Sequence, residues 1–239
     1  MTASTRRAIL LAGSLVAVLL VLALALPAVG RIVQGTDQTR HALPTRLSQL
    51  TLDGEVGDVT VRAAGPGETP SAQATVRSGL TTPHTEVLVD GDSAAISDTC
   101  HDSWWSNCSV SWSLVVPHDS AVDVTSAVGD VTVIEITGPL SISSDVGTVA
   151  ATGIGSETVT ARSSVGDVSL DLVDPPREVR VTSSTGDVEI SVPDDGTVYR
   201  VETDTSIGSV TNRVGSEPGA SHLLDVHTSV GDITLRRTG

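Results

Sequence analysis

The sequence predicts an all-β chain: a single-chain β-solenoid of stacked coils with an N-terminal antiparallel β section, preceded by one transmembrane helix. Three observations predict it. A short phrase built on Val-Gly-Asp-Val recurs through the second half, alternating aliphatic residues flank each copy, and an uncharged run of 22 residues lies near the start.

The phrase glycines of the main array are Gly129, Gly147, Gly166, Gly186, Gly208 and Gly231, at intervals of 18, 19, 20, 22 and 23 residues. A period in that range marks stacked supersecondary units. Before each glycine runs an alternating stretch such as Val122-Asp-Val124 or Val179-Arg-Val181, and after it another, such as Val131-Thr-Val133 or Val188-Glu-Ile190. Period-two alternation of β-branched residues reads as two short strands with one buried face. The glycine between them supplies a backbone angle that other residues adopt only at a cost, and Asp tolerates the tight turn beside it.

Two topologies fit: an antiparallel meander with Gly-Asp hairpins, or a solenoid in which Gly-Asp is a corner. A meander does not require the same residue at the same place in every turn. A solenoid does, because equivalent positions stack about 4.8 Å apart. The valine before each glycine, the glycine and the valine after it line up in nearly every copy, which favours the solenoid. Length changes fall at the other corner, for example Asp174-Pro175-Pro176 and Gly215 to Gly219, leaving one tight, uniform edge and one edge of variable loops. Such loops form the binding face of many repeat proteins, and they are also where insertions cost least.

Taken in order, residues 1–7 are expected to be a short cytoplasmic N-terminus, 8–30 a signal-anchor helix and 31–46 a tether. Residues 47–239 are then the solenoid domain, with 62–120 as its antiparallel capping section and 121–235 as its repeats. The apolar run Ala8 to Val29 follows Arg6-Arg7. As a helix it reaches about 33 Å, enough for a ~30 Å hydrocarbon core. A cleaved signal peptide competes, since Ala23-Leu24-Ala25 resembles a cleavage site, but such apolar cores usually run only ~7–15 residues. The arginine pair favours a cytoplasmic start, so the expected location is a single pass through the cell membrane with the C-terminal domain outside.

An early copy of the phrase contains Gly57, 72 residues before Gly129. The interval carries strand patterns at Ala74–Val76, Val87–Val89, Ala95–Ile96 and Val110–Val116, with Asp90-Gly91 as a hairpin turn. This section is expected to cover the first coil, because a bare solenoid end exposes unpaired strand edges. Within it, Cys100 and Cys108 bracket Trp104-Trp105. Two close cysteines in a segment outside the cytoplasm point to a disulfide. A zinc site using His101 is the alternative, though it lacks a fourth ligand.

From Gly30 on there are 29 acidic residues against 12 arginines, and the chain has no lysine. That balance opposes nucleic-acid binding. The expected partners are the membrane and a cell-surface glycan or protein. Trp104 and Trp105 are the candidate binding residues, able to stack on a sugar or anchor a protein, or else to cap the stack. The corner aspartates Asp58, Asp130, Asp167, Asp187 and Asp232 are interrupted by Thr148 and Ser209. With coils stacked in sequence order, Asp167 and Asp187 are the one adjacent pair of the main array, which fits turn residues accepting backbone hydrogen bonds better than a calcium site. No catalytic residue, metal ligand or cofactor is expected: the nucleophile-elbow, zinc-helix and phosphate-loop motifs are all missing. His222 and His227, five apart on a strand, face different ways.

The lead-in Val115-Val116-Pro117 to Val122-Asp-Val124, followed by the Ser/Thr-x-Gly-Asp-Val coils, resembles a bacterial putative adhesin domain family of unknown function. The resemblance spans about Leu47 to Leu235. It implies a β-solenoid and a surface or adhesion role, often behind a single membrane anchor. The Trp-Trp disulfide loop departs from that pattern. The function expected is therefore a non-enzymatic, membrane-anchored binding or scaffolding module. The alternatives are an envelope sensor or regulatory accessory working with a membrane partner, and a glycan-active enzyme needing converging acidic residues. The chain reaches Gly239 directly after its last phrase, so self-association through that end is a further expectation.

Overall fold

The computed structural model describes residues 35–78, 83–100 and 108–238. In chain order the strands are β1 (Gly35–Ala42), β2 (Gln49–Val56), β3 (Val59–Ala63), β4 (Ser71–Ser78), β5 (His84–Asp90), β6 (Ser93–Thr99) and β7 (Ser109–Val116). Then come β8 (Ala121–Val128), β9 (Val131–Ile134), β10 (Leu140–Val146), β11 (Val149–Ile154), β12 (Thr158–Val165) and β13 (Val168–Leu172). The rest are β14 (Glu178–Thr185), β15 (Val188–Pro193), β16 (Tyr199–Ile207), β17 (Val210–Asn212), β18 (His222–Val230) and β19 (Ile233–Thr238). No helix occurs among the described residues, so none there is long and apolar enough to cross a membrane. Residues 8–30, read as the anchor, lie outside them.

The two strands flanking each corner glycine do not pair with each other. β8 pairs in parallel with β2 and β10, while β9 pairs in parallel with β3 and β11. The meander is thereby excluded, and the stack is solenoid-like: each coil contributes one strand to each of two facing sheets. Valines after the glycines (Val59, Val131, Val149, Val168, Val188, with Ile233) are at most 1% exposed and form one continuous inner column. Each buried side chain of this size contributes ~1.5–3 kcal/mol, and Tyr199 and Trp112 are the aromatic members of an otherwise aliphatic core.

Stacking order departs from sequence order in one place. One sheet runs β17, β19, β15, β13 and the other β16, β18, β14, β12. The coil of β18 and β19 is inserted between that of β14–β15 and that of β16–β17. The uncapped end of the stack is therefore the β16–β17 coil, not the last coil in sequence. This corrects the expectation of an open edge directly before Gly239. There, Arg236 pairs with Glu189 at 2.7 Å, and Arg237 donates to the Thr197 carbonyl at 2.8 Å.

At the other end, β5 and β6 form the expected hairpin, with Asp90 opposite Ser93 and Gly91 at φ 61°. β4 is antiparallel to both β1 and β7. Yet β6 and β7 themselves join the parallel ladders, on β2 and β3. They constitute one further coil whose corner is the Cys100–Cys108 loop. Residues 31–46, expected to be a tether, contain β1, which covers the edge of β4 in register from Gly35–Ser78 to Ala42–Ser71. β1 has no aliphatic alternation and is almost wholly exposed, so hydrophobic patterning has nothing to detect. Backbone pairing with an otherwise open edge makes it a strand.

Candidate functional site

The tight edge is where the sequence is most uniform, and its geometry follows from the glycines. At Gly166 the backbone has φ 140°, and an added Cβ would lie 2.0 Å from the carbonyl oxygen of Gly147 in the coil below. Every corner glycine of the array meets the same obstruction, so each coil packs backbone on backbone at this edge. Only a residue without a side chain permits that approach.

Three columns flank the glycines. On one side stands the aspartate ladder. Asp58 Oδ1 accepts the N–H of Asp130 at 3.2 Å, Asp130 that of Thr148 at 2.8 Å, and Asp167 that of Asp187 at 2.9 Å. Asp187 accepts the N–H of Asp232 at 2.8 Å, and Asp232 that of Ser209 at 2.8 Å. Each carboxylate ties its coil to the next, as expected for turn aspartates. The inserted coil makes Asp167, Asp187 and Asp232 three consecutive members rather than an isolated pair, because Asp232 rather than Ser209 stacks on Asp187.

On the other side stand the residues preceding the glycines. Val56, Val128, Val146, Val165, Thr185, Val230 and Ile207 are in register down the stack. Val128, Val146, Val165, Val230 and Ile207 are 41–67% exposed, whereas of the aliphatic residues after the glycines only Val210, on the outermost coil, is comparably exposed, at 42%. They form an apolar ridge on the outside, broken only at Thr185.

Beneath the corner lies a column that the alternation pattern did not single out. Ser126, Ser144, Ser163, Ser183, Thr228 and Thr205 stack inward, each three residues before its glycine. That fixed offset was the signal available in the sequence. Thr205 donates to the Gly231 carbonyl at 2.9 Å and Thr228 to that of Gly186 at 3.3 Å. The hydroxyls of Ser126, Ser144 and Ser183 have no partner among the described residues.

The disulfide Cys100–Cys108 closes the corner of the β6–β7 coil, with Cα atoms 5.9 Å apart. Its two thiols are consumed, which overturns the zinc alternative. Trp104, Trp105 and His101 lie outside the described residues. The entry to the loop is anchored by carboxylates: Glu55 accepts the Cys100 N–H, and Asp98 accepts Trp112 Nε1–H at 2.8 Å and the Glu55 N–H at 3.2 Å. Asp98 is 4% exposed. Burial pushes its carboxyl above the usual range, against the two hydrogen bonds that favour its charge.

The other candidates do not converge. His222 meets the Pro176 carbonyl at 2.7 Å while His227 meets Asp225 at 2.7 Å. A shallow depression of about 250 Å³ on the β2–β8–β10–β12 face has Asp123 as its one carboxylate. No group of three or more potential metal ligands occurs among the described residues.

The fold and the edge together define a class: a parallel, two-sheeted solenoid-like module that presents repeated side-chain columns outward. The chain belongs to the Toastrack DUF4097 family, whose sequence pattern matches residues 44–236. Its fold is similar to that of a putative cell adhesion protein from Clostridium sporogenes ATCC 15579, with 10% identity and a TM-score of 0.53 over 85% of this chain and 100% of that one. It is also similar to a putative adhesin from Bacteroides fragilis NCTC 9343, with 14% identity and a TM-score of 0.52 over 85% of this chain and 97% of the other. At such identities the likeness is one of fold. No curated protein matches the chain. The resemblance read from the lead-in and the corner phrases thus holds for an adhesin-like family of unknown function.

Proposed function

We propose that this protein is a non-enzymatic binding or scaffolding module of the cell surface, held by residues 8–30 in the membrane with its solenoid outside. The observation that carries this is the Cys100–Cys108 disulfide, because such bonds persist in oxidising compartments. The acidic, lysine-free exterior suits solubility outside a cell. Names of the fold neighbours supply the adhesin label, and the exposed ridge supplies a surface able to bind.

Cell fractionation combined with protease added to intact cells tests the reading. The expected result is membrane-bound full-length chain whose solenoid is reached from outside. A chain recovered in the soluble fraction, or protected from external protease, overturns it. Crosslinking on intact cells, compared with the Trp104→Ala/Trp105→Ala double variant, then separates attachment through the disulfide loop from attachment elsewhere. Adducts that survive the double variant assign binding to another surface.

A further inference from the structure

The exposed ridge is the largest feature of the tight edge that corner geometry does not explain. The glycines must be small, the aspartates bond the next coil, and the valines after the glycines, Val210 of the outermost coil excepted, fill the core. Among the described residues nothing buries Val128, Val146, Val165, Val230 and Ile207, which stand half-exposed at the same position of successive coils. Seven levels at ~4.8 Å make a straight ridge about 29 Å long. A contiguous aliphatic row of this length is comparable to the largest apolar patch of a typical monomer, which is often a functional surface.

We infer that this ridge is a contact between two copies of the chain, lying side by side with their stacks parallel. A row with a strand-to-strand repeat is matched in spacing by another such row, and identical columns interdigitate in the manner of dry sheet interfaces. A two-fold axis makes one patch serve both partners.

Charge selects the orientation. Along each coil the order is Ser164-Val165-Gly166-Asp167, Ser184-Thr185-Gly186-Asp187 and Ser229-Val230-Gly231-Asp232. At these three levels the ridge has a hydroxyl on one flank and a carboxylate on the other; the Gly129 level has Ala127 and Asp130, and the Gly208 level has Ser206 and Ser209. If the axis crosses the ridge, the copies run antiparallel and the aspartate column of one meets the aspartate column of the other. If the axis runs along the stack, Asp167, Asp187 and Asp232 face Ser164, Ser184 and Ser229 of the second copy. The Gly147 level inverts both positions, Asp145 before and Thr148 after, so carboxylate again faces hydroxyl. At the Gly57 level the Glu55 carboxylate is engaged by the Cys100 N–H.

The contact is small. A ridge ~29 Å long and about one sheet spacing (~10 Å) wide offers roughly 300 Å² per copy, against ~800 Å² in a standard interface. Tethering both copies in one membrane supplies the effective concentration that such a contact needs. In this respect the inference rests on the anchored-module reading. A parallel pair also places both N-terminal ends on the same side, as one membrane requires.

Variants of the full chain in native membranes, each with one cysteine added to the native disulfide pair, Val128→Cys, Val146→Cys, Val165→Cys and Val230→Cys, test it by mild oxidation. A parallel pair places each level opposite itself, so all four are expected to give disulfide-linked dimers. A dimer with Val165→Cys alone indicates an antiparallel pair and overturns the inference. So does the absence of dimers, or adducts with other proteins only. Adding Val146→Asp and Val165→Asp to the Val230→Cys chain is expected to lower dimer yield at least tenfold while the thermal transition is retained; an unchanged yield counts against the ridge. External protease on the same intact cells keeps the two readings apart. Dimers protected from it overturn the surface location alone, whereas protease-accessible chains that give no dimers overturn the pairing alone.

Discussion

The carbonyl oxygen of Gly186 lies over Gly231, 45 residues later in the chain, where an added Cβ would come within 2.0 Å of it; Gly208, although nearer in sequence, rests on Gly231 instead. The corner contacts thus follow the succession of coils in space, which departs here from their order in the chain.

Gly166→Ala should therefore be severe. Its φ of 140° is hostile to any side chain, and the Gly147 carbonyl at 2.0 Å is backbone that cannot swing aside. We expect a loss of at least about 3 kcal/mol from strain and displaced packing. Gly196→Ala is the control: its φ is 88° with nothing within 4 Å, and it should cost only about 1 kcal/mol. Urea unfolding followed by circular dichroism compares them, and equal losses would refute the packing argument.

The buried hydroxyl column gives an opposite expectation. Ser183 has no partner for its hydroxyl among the described residues, so Ser183→Ala should be neutral or stabilising by about 1 kcal/mol. Ser183→Val should lose about 1–3 kcal/mol by overpacking. A marked loss in the alanine variant would mean that the hydroxyl is bonded after all.

Two carboxylates predict opposite pH responses. The folded-state pKa of Asp98 is raised above its unfolded value of about 3.9. Its favourable contribution is fully present below that value and fades as pH rises through the folded pKa. The stability of the native chain minus that of Asp98→Asn should accordingly fall with rising pH. Glu68 is held down to about 2 by the hydrogen bond from Arg62, assisted by the Gly65 N–H. Its contribution is present above about 4.5 and is lost as pH falls toward about 2. Glu68→Gln should flatten that acid limb. Denaturation midpoints from pH 2 to 7 read both, and a flat difference for either pair would contradict its assignment.

Replacing both cysteines, Cys100→Ser with Cys108→Ser, should cost about 2.5 kcal/mol on the loop-entropy model for so short a loop. Calorimetry of oxidised protein against the double variant measures it. No change would mean that the β6–β7 corner closes as well without the covalent link.

How much of this was legible follows from what leaves a mark on residue order. A corner that excludes side chains writes glycine at one position per coil, and a buried column writes valine after it, so period and strand pairs could be read. The order of coils could not, because corners around Gly208 and Gly231 carry the same phrase and fit either level. β1 was invisible because main-chain pairing needs no particular side chain. The outward ridge was hidden by its own regularity: Val165 and Val168 look alike in the repeat, and only coordinates show that one is half-exposed and the other buried. The residues of the candidate site split similarly. Cys100 and Cys108 stood out by type, whereas the Ser126-to-Thr205 column is chemically bland and recognisable only by its offset from glycine.

The inserted coil has a bearing on biogenesis. β16 and β17 leave the ribosome before β18 and β19, yet every ladder bond they make within the sheets is to those later strands. The outermost level must wait, unpaired, for its inner neighbour to be synthesised and slotted in. This topology builds a delay into the order of its strands: the outer end of the stack closes only when the last two have emerged.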